Sequence, residues 1–566
     1  MSQDMTGTMP PGGMQGTSTR WRDLLLALAI ALFSFGSAWI SLEDTALGVS
    51  PDEWAHATYV HEIATEGRLI PDYAGSQILP GESRGNYLNH PPLYYSVLGL
   101  TGRALGWAVV ADYGNYRALS AVMAALGIFL WMLTGRGLGM PTSWLIAIAA
   151  ATNAIPMVPF LAGSINNDNL AYLGVAIAFY GLVQLRYWPR IAPYIGALGV
   201  LTTFLSKATA ALFLCLFFVI WALPQLRHAS SPLRNRHLLA ALAGVALISS
   251  AYYLYAIFAY GSPFPNAMAL YPPNPPAHPL SFWSFAAEFT RQMMGRLPTI
   301  TSHASLSPLD GWGVLFWVML AAPLLAWLLS AYRSRRAPDA WMTNAFMLAL
   351  ATSVLAHVLV VWNSHLNAGV LSGMQPRYYG YALPAIFIFC FLQSRNAAAG
   401  KALLATFALA AALLLSVAPS MTTRLQVRAQ LAANVEALRY PAATGVTPLD
   451  VQLNLNGAQA GYVDSITVSD GTARLRGWAA NKADLTPAPG ILVLTDGQVV
   501  GTARTGKPRL DVAEALGSKP LASSGFQFSI DNLPPGTTPC DIRLLAEQSD
   551  GSMAQLSHAG CAPPAP

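Results

Sequence analysis

Two acidic residues, Asp52 and Glu53, follow the first long apolar run of the chain, in the sequence Ser50-Pro-Asp-Glu-Trp-Ala-His. Ser50 and Glu53 have the spacing of a helix capping box, so capping alone would explain Glu53. Capping does not require Asp52, which precedes His56 by four residues and therefore shares a helical face with it. We expect Asp52 and Glu53 to be catalytic, with Asp52 as general base, and His56 to bind the substrate.

Two further polar segments could contact a substrate. His90 opens the sequence His-Pro-Pro-Leu-Tyr-Tyr, where a substrate-binding role and a structural role at the membrane interface explain it equally well. Asn167 and Asp168 belong to Ser164-Ile-Asn-Asn-Asp-Asn-Leu, directly before an apolar run. One polar residue would suffice to cap the helix that follows. The additional ones predict that Asn167 and Asp168 belong to the binding site.

Two cations could hold an anion. Lys207 occurs in Leu-Ser-Lys-Ala-Thr, and Arg377 is followed by Tyr378 in Met-Gln-Pro-Arg-Tyr-Tyr-Gly-Tyr. A guanidinium group matches phosphate oxygens with two parallel hydrogen bonds. We therefore expect Arg377 and Lys207 to bind a phosphate, with Tyr378 beside them. The alternatives are that Arg377 extends to lipid headgroups and that Lys207 stabilises a helix C-terminus.

These residues belong to a chain of 566 residues that is 54% hydrophobic and only 10% charged. Soluble domains carry about 25% charged residues, so the composition excludes a water-soluble enzyme and predicts an integral membrane protein. The net charge of +5 is too small to indicate nucleic acid as a partner.

Eleven apolar runs are long enough, or nearly so, to cross a bilayer core of about 30 Å as helices. They lie at residues 24–40, 117–134, 142–163, 169–187, 191–206, 209–223, 238–260, 312–331, 342–362, 379–393 and 402–418. We place Tyr94–Val110, which contains Arg103, along the membrane surface. The following basic residues then share one side, which is cytoplasmic by the positive-inside rule: Arg20, Arg22, Arg136, Arg186, Arg190, Arg227, Arg234, Arg236, Arg333, Arg335, Arg336, Arg395 and Lys401.

This topology divides the chain into four parts. A disordered tail at 1–19 precedes a transmembrane domain at 20–420, which has outer loops at 41–116 and 261–311. A linker at 421–454 leads to an all-β sandwich at 455–566, predicted from short alternating strands separated by Asp-Gly and Pro-Gly turns. The strands are expected at 461–468, 473–479, 491–495, 499–504, 525–530 and 541–547. Cys540 and Cys561 could form a disulfide there, consistent with an oxidising compartment, or stay unpaired.

The polar candidates all fall at the outer ends of spans, and none lies at mid-span. Transporters and proton pumps place ionisable groups near the membrane midplane. A substrate with a polar head at the outer interface and an apolar tail fits better. The sequence therefore predicts a lipid-linked phosphate as substrate.

The order of these motifs resembles the polyprenol-phosphate-dependent glycosyltransferases of the GT-C fold, a group that includes protein O-mannosyltransferases and the lipid A aminoarabinose transferase. The likeness rests on Asp52-Glu53, on His90-Pro-Pro-Leu, on Asn167-Asp168 and on Arg377-Tyr378. It implies an inverting sugar transfer at the outer face of the bacterial inner membrane, from a polyprenyl-phosphate donor to a glycan, lipid or protein hydroxyl. We expect no cofactor.

The strand region is similar to β-sandwiches attached to bacterial glycan-processing proteins, through Gly477-Trp478-Ala479, Asp496-Gly497, Arg509-Leu-Asp-Val and Ser524-Gly-Phe. Trp478 is either a glycan-binding residue or a core residue.

Three alternatives remain open at the level of sequence. Asp52, Glu53, His56 and Asp168 could bind a divalent metal ion. The protein could be a transporter or flippase for a lipid-linked glycan. It could also be a glycan polymerase or ligase that uses a diphosphate-linked donor.

Overall fold

The computed structural model contains a helical region followed by a region of strands. It describes residues 17–42, 47, 50, 52–70, 90–226, 235–263, 279–296, 313–333, 340–368, 373–394, 400–417, 455–469, 471–481, 485–488, 490–495, 498–503, 505–507, 509–530, 533, 536–548 and 553–558. The predicted linker at 421–454 lies outside the described residues, as does most of the predicted tail at 1–19. The last residues of that tail, from Thr17 onward, are helical.

The described part of the helical region follows the predicted apolar runs closely. Its helices are α1 (Thr17–Leu42), α2 (Glu53–Glu66), α3 (Leu93–Leu105), α4 (Tyr113–Gly137), α5 (Thr142–Ala154), α6 (Met157–Ala162), α7 (Asp168–Gln184), α8 (Ala192–Phe204), α9 (Ala208–Gln225), α10 (Arg236–Tyr260), α11 (Phe282–Arg296), α12 (Gly313–Arg333), α13 (Ala340–Ala368), α14 (Leu383–Ser394) and α15 (Gly400–Val417). A 3₁₀ helix, Pro376–Ala382, leads directly into α14. Every predicted run therefore contains a helix.

Seven of these helices, α1, α4, α9, α10, α12, α13 and α15, are long and apolar enough to cross a membrane. The other four predicted runs form shorter or interrupted helices. In the run 142–163, Ile155 adopts an extended conformation between α5 and α6. The cause is Pro156, since the ring of a proline disfavours helical backbone at the preceding residue.

The bundle has two distinct ends. At one end, Arg136 near the end of α4 lies 3.0 Å from Asp23 in the first turns of α1. At the other end, Arg117 near the start of α4 donates a hydrogen bond to the carbonyl of Leu42, the last residue of α1 (3.0 Å). Helices α1 and α4 therefore run antiparallel. The end that contains Leu42 and Arg117 is called the site end below.

Glycines bring α7 and α8 into close contact. A Cβ on Gly181 would overlap the backbone of Gly196, and a Cβ on Gly199 would overlap the backbone nitrogen of Ala178. Only residues without a side chain allow two helices to approach so closely. This contact places the start of α7 beside the end of α8, which are the segments that carry Asp168 and Lys207.

Helix α3 covers most of the predicted surface segment. Its 13 residues span about 20 Å, which is too short to cross a bilayer core, as expected. Arg103 donates hydrogen bonds to the carbonyls of Ala64 (3.3 Å) and Thr65 (2.9 Å) at the end of α2. Arg103, the charged residue within the predicted surface segment, therefore joins α2 and α3.

The C-terminal region is an all-β domain, as predicted, with strands β1 (Leu455–Ser469), β2 (Thr472–Asn481), β3 (Thr486–Pro487), β4 (Ile491–Thr495), β5 (Gln498–Ala503), β6 (Gly525–Ile530), β7 (Ile542–Glu547) and β8 (Met553–His558). The strands form one continuous curled sheet, in the order β3-β2-β1-β8-β7-β4-β5, with β6 on β2. Two separate sheets were expected. The long strand β1 joins the halves because it pairs antiparallel with β2 and parallel with β8, and bends at a bulge between Val463 and Ser465.

The core of this domain accounts for most of its motif residues. Gly477 allows Phe526 to pack against β2, and Trp478 packs on a small apolar cluster beside helix α16 (Leu510–Ala515). This placement favours the core interpretation of Trp478. Arg509 bridges Asp464 (2.7 Å) and Asp511 (2.8 Å). Asp496-Gly497 lie outside the described residues, as does Cys561, so the proposed disulfide stays a prediction.

Candidate active site

The capping box predicted for α2 is wrong. The helix begins at Glu53, and its N-cap is Asp52, whose side chain makes no capping hydrogen bond. Asp52 adopts a left-handed backbone conformation (φ 62°), which costs free energy for a residue with a side chain. The Glu53 carboxylate is buried and pairs with a charged partner instead.

That partner is Arg117 of α4. Its guanidinium donates two hydrogen bonds to Glu53, at 2.9 and 2.7 Å, and a third to the Leu42 carbonyl. The backbone amide of Ile165 donates to the same carboxylate (3.1 Å). Both charged side chains are almost fully buried (0% and 4% exposed). Glu53 therefore joins α1, α2, α4 and the segment before α7, and Asp52 is left as the better candidate for general base.

Arg117 did not emerge from the sequence as a site residue. A signal for it exists, since it falls at the same predicted end of the spans as Lys207 and Arg377, opposite the end where the sequence places most of the cations.

Asp52 forms an ion pair with Arg377, across 325 positions of sequence. Arg377 belongs to the 3₁₀ helix Pro376–Ala382, in which the proline occupies the first position. The arginine side chain is 6% exposed, whereas that of Asp52 is 33% exposed. The carboxylate is therefore the more accessible member of the pair.

A second ion pair joins Asp168 and Lys207. Asp168 opens α7, and its amide donates to the side-chain oxygen of Asn166 (2.9 Å). We expected Lys207 at the C-terminus of a helix. It is instead the residue directly before α9, and α8 ends at Phe204. Burial lowers the pKa of Lys207, and the nearby Asp168 carboxylate partly offsets this effect.

Tyr378 lies between the two ion pairs. The Lys207 ammonium is 4.9 Å from the centre of its ring, and the Arg377 guanidinium carbon is 5.6 Å from it. Both distances are typical of cation–π contacts. Burial raises the pKa of the Tyr378 hydroxyl, so it stays protonated. Two acids and two cations thus surround one aromatic ring, and their charges balance.

The remaining predicted residues lie next to these pairs. His56 is buried and its Nδ1 is 2.8 Å from the Tyr95 hydroxyl. The side-chain amide of Asn167 donates to the carbonyl of Ser206 (2.8 Å). Burial lowers the pKa of His90 to about 3, with a further lowering by the Lys207 charge. It also lowers the pKa of His56 well below its usual value. Both imidazoles are therefore neutral near pH 7.

A partly open cavity extends from the ion-pair residues Asp168 and Arg377 into the bundle. Asp168 and Arg377 line it at the site end. Its walls come mainly from apolar side chains of α4, α6 and α7, including Ile128, Met157, Val158, Leu161 and Tyr172, and α5 contributes the polar Thr152 and Asn153.

Among the described residues, no three His, Cys, Asp or Glu side chains come close enough together to hold a metal ion. The set considered for a divalent metal is divided, since Glu53 binds Arg117, Asp52 binds Arg377 and Asp168 binds Lys207.

No protein-family model matches the chain, and no curated protein matches it. It is similar to solved structures of ArnT from Cupriavidus metallidurans. The form bound to undecaprenyl phosphate has 15% identity and a TM-score of 0.44, and the apo form has 16% and 0.45. Both matches cover 78% of this chain and 83% of ArnT.

A further match is the oligosaccharyltransferase of Archaeoglobus fulgidus tethered to an acceptor peptide, with 13% identity, a TM-score of 0.38, and coverage of 75% of this chain and 58% of that one. ArnT and this oligosaccharyltransferase are GT-C fold membrane glycosyltransferases, the group that the sequence motifs resemble.

Proposed function

We propose that this protein is a membrane glycosyltransferase. It transfers a sugar from a polyprenyl-phosphate donor to a hydroxyl group of an acceptor outside the cytoplasm, with inversion at the anomeric carbon. The observation that carries this proposal is the pairing of Asp52 with Arg377, and of Asp168 with Lys207, around Tyr378 at the mouth of an apolar cavity. A phosphate that carries a sugar on one side and an isoprenoid chain on the other matches this combination of charged side chains and an apolar cavity.

The ion pairs suggest how the donor is held. A donor phosphate carries a negative charge and would compete with the two carboxylates for Arg377 and Lys207. Arginine supplies a two-pronged donor for phosphate oxygens and lysine a compact charge. The lipid chain would enter the cavity between α4 and α7. Binding of the donor would thereby release Asp52 from its guanidinium partner, which otherwise makes the carboxylate a weaker base.

The released Asp52 would act as the general base. It accepts the proton of the acceptor hydroxyl while the hydroxyl oxygen forms a bond to the anomeric carbon. The bond between that carbon and the phosphate oxygen breaks, and its electron pair stays on the phosphate. The polyprenyl phosphate that leaves gains one negative charge, and Arg377 and Lys207 stabilise it. Such stabilisation is often the largest contribution to catalysis.

The reaction would take place at the outer face of the bacterial inner membrane. The cations that define the cytoplasmic side by the positive-inside rule include Arg136, which lies at the end of the bundle opposite the site end. The acceptor would be a glycan, a lipid or a protein hydroxyl. The C-terminal β domain would lie on the same outer side.

The test is sugar transfer by purified protein in detergent, with a radiolabelled polyprenyl-phosphate sugar as donor and a library of bacterial glycan and lipid acceptors. Asp52→Asn should lose transfer by at least about 100-fold, the lower limit for a general base. Asp23→Asn is the matched control, because Asp23 is also paired with an arginine (3.0 Å) but at the opposite end. Movement of donor across vesicles without a new covalent product would favour a flippase, and would contradict the proposal.

A further inference from the structure

One histidine is attached to both sides of the short segment that carries Arg377. His357 belongs to α13, and its side chain is half-buried. Its Nε2 is 2.9 Å from the carbonyl oxygen of Gly373, and its Nδ1 is 3.0 Å from the Tyr379 hydroxyl. The two partners of this imidazole therefore lie on either side of Arg377 in the sequence.

The chemistry of these partners assigns the hydrogens on the ring. A backbone carbonyl can only accept, so His357 carries a hydrogen on Nε2 and donates it to Gly373. In the neutral imidazole Nδ1 then holds a lone pair, to which the Tyr379 hydroxyl donates. The carbonyl of Ser353, at 3.5 Å, is a more distant acceptor for that hydroxyl. The two ring nitrogens of His357 thus hold two different parts of the chain.

The segment between these two contacts gains from such support. Gly373 has a φ of 83°, a conformation that glycine adopts without strain, and its carbonyl also accepts from the amide of Gln375 (2.9 Å). The 3₁₀ helix Pro376–Ala382 follows. Hydrogen bonds in 3₁₀ helices have poorer geometry than those in α-helices. Contacts from neighbouring helices therefore have a large share in fixing the orientation of this segment.

The direction of the Tyr379 side chain makes this support relevant to Arg377. A 3₁₀ helix has three residues per turn, so these two side chains leave the helix about 120° apart. Tyr379 contacts α13, and Arg377 pairs with Asp52 at the start of α2. A rotation of the short helix about its axis would break the contact with His357 and move the guanidinium away from Asp52 at the same time.

Packing holds the His357 ring in place as well. The ring of Phe289 from α11 is almost perpendicular to it, with ring centres 5.2 Å apart. The ring of Tyr378, which both cations of the site contact, is 5.6 Å away on another side. Phe289 and Met374 belong to one buried apolar cluster. Helices α11 and α13 and the residues before the 3₁₀ helix therefore pack together around this imidazole.

We propose, on the basis of the function proposed above, that His357 is a positioning residue for Arg377. By holding Gly373 and Tyr379, it fixes the orientation of the 3₁₀ helix and presents the guanidinium at the mouth of the cavity before the donor binds. A group that is ordered in advance binds more tightly, because its ordering no longer opposes binding. His357 thus acts through the arginine and not on the phosphate itself.

The test is a titration of the purified full-length protein with polyprenyl monophosphate. His357→Phe keeps an aromatic ring but removes both hydrogen bonds, and it should weaken binding roughly five- to tenfold. Tyr379→Phe loses only a hydroxyl and should weaken binding by a smaller factor, so it tests the same contact even if His357→Phe fails to fold. His365→Phe is the matched control. His365 lies further along α13 and accepts a hydrogen bond from the amide of Leu280 (3.2 Å), so this variant should bind the lipid like the unmodified protein.

A double-mutant cycle separates positioning from a general effect on the fold. In the Arg377→Ala background, His357→Phe should change the dissociation constant by less than about twofold, because the group that it positions is gone. An equal weakening in both backgrounds would show that His357 acts on the bundle as a whole, and would overturn the proposal. Unchanged binding in His357→Phe and Tyr379→Phe, with weak binding in Arg377→Ala, would overturn it too. If Arg377→Ala bound the lipid like the unmodified protein, the phosphate site proposed above would be refuted, and this inference with it.

Discussion

Removing the proposed base should strengthen donor binding while it abolishes transfer. In the unliganded protein Arg377 is held by Asp52, and a phosphate must displace that carboxylate. In Asp52→Asn the competing charge is absent, so the guanidinium is released at lower cost. Donor affinity and the rate of sugar transfer usually fall together in an active-site variant. In Asp52→Asn we expect the affinity to rise and the rate to fall.

The exposure of the two side chains sets the size of this effect. Exposed ion pairs contribute about 0.2–1 kcal/mol, whereas breaking a fully buried pair costs about 3–5 kcal/mol. Arg377 is 6% exposed but Asp52 is 33% exposed, so solvent screens the pair and a contribution of about 1 kcal/mol is reasonable. That free energy corresponds to roughly fivefold tighter binding.

The measurement is a titration of the purified protein with polyprenyl monophosphate, which lacks the sugar and cannot be turned over. Asp52→Asn should bind it about fivefold more tightly, and Asp23→Asn should bind it like the unmodified protein. Arg377→Ala should weaken binding by at least tenfold, and Arg377→Lys by less. If Asp52→Asn bound the lipid more weakly, Asp52 would contact the phosphate side of the donor, and the competition inferred here would be refuted.

Three other predictions concern stability. Glu53→Gln should clearly lower the unfolding temperature, because it leaves the buried Arg117 charge without its partner at a cost of about 3–5 kcal/mol. The double variant with Arg117→Met should recover most of the loss. No recovery would contradict the buried ion pair as the cause. Gly199→Ala should destabilise the protein, because its new Cβ would overlap the α7 backbone. Gly196→Ala should be tolerated, because its new Cβ has its nearest neighbour at 3.7 Å. Similar unfolding temperatures of the two variants would disprove the close contact. Burial lowers the pKa of His90 to about 3, so the unfolded chain binds more protons than the folded protein below pH 6.5. The free energy of unfolding should therefore fall as the pH drops from 6.5 toward 3. His90→Gln should reduce this pH dependence, and an unchanged slope would show that His90 does not cause it.

The apolar runs predicted the helices well because membrane spanning imposes a length and a composition that the sequence displays directly. Interruptions were harder to locate. The break between α5 and α6 follows from Pro156, but the run alone did not show it. In the C-terminal domain the predicted strands were found, whereas the single curled sheet depends on the pairing of β1 with β8, which joins strands about a hundred residues apart.

In the candidate site too, the sequence revealed some residues, and only the tertiary structure revealed their contacts. Asp52, Asp168, Lys207 and Arg377 were recognisable because charges at apolar boundaries are costly and therefore conspicuous. Which of these acids pairs with which cation was not recognisable. Glu53 has the spacing of a capping residue, and only the position of Arg117 on the neighbouring helix α4 shows that it forms a buried ion pair instead.

The amino-acid sequence by itself thus determined that the chain forms many apolar helices typical of a membrane protein, and it predicted which cations share one side and which polar residues gather at the other ends of the helices. These properties follow from composition and from order along the chain. The tertiary structure alone decided which acid pairs with which cation and how His357 contacts both Gly373 and Tyr379. Such contacts join residues separated by up to 325 positions, and the packing of the helices determines them.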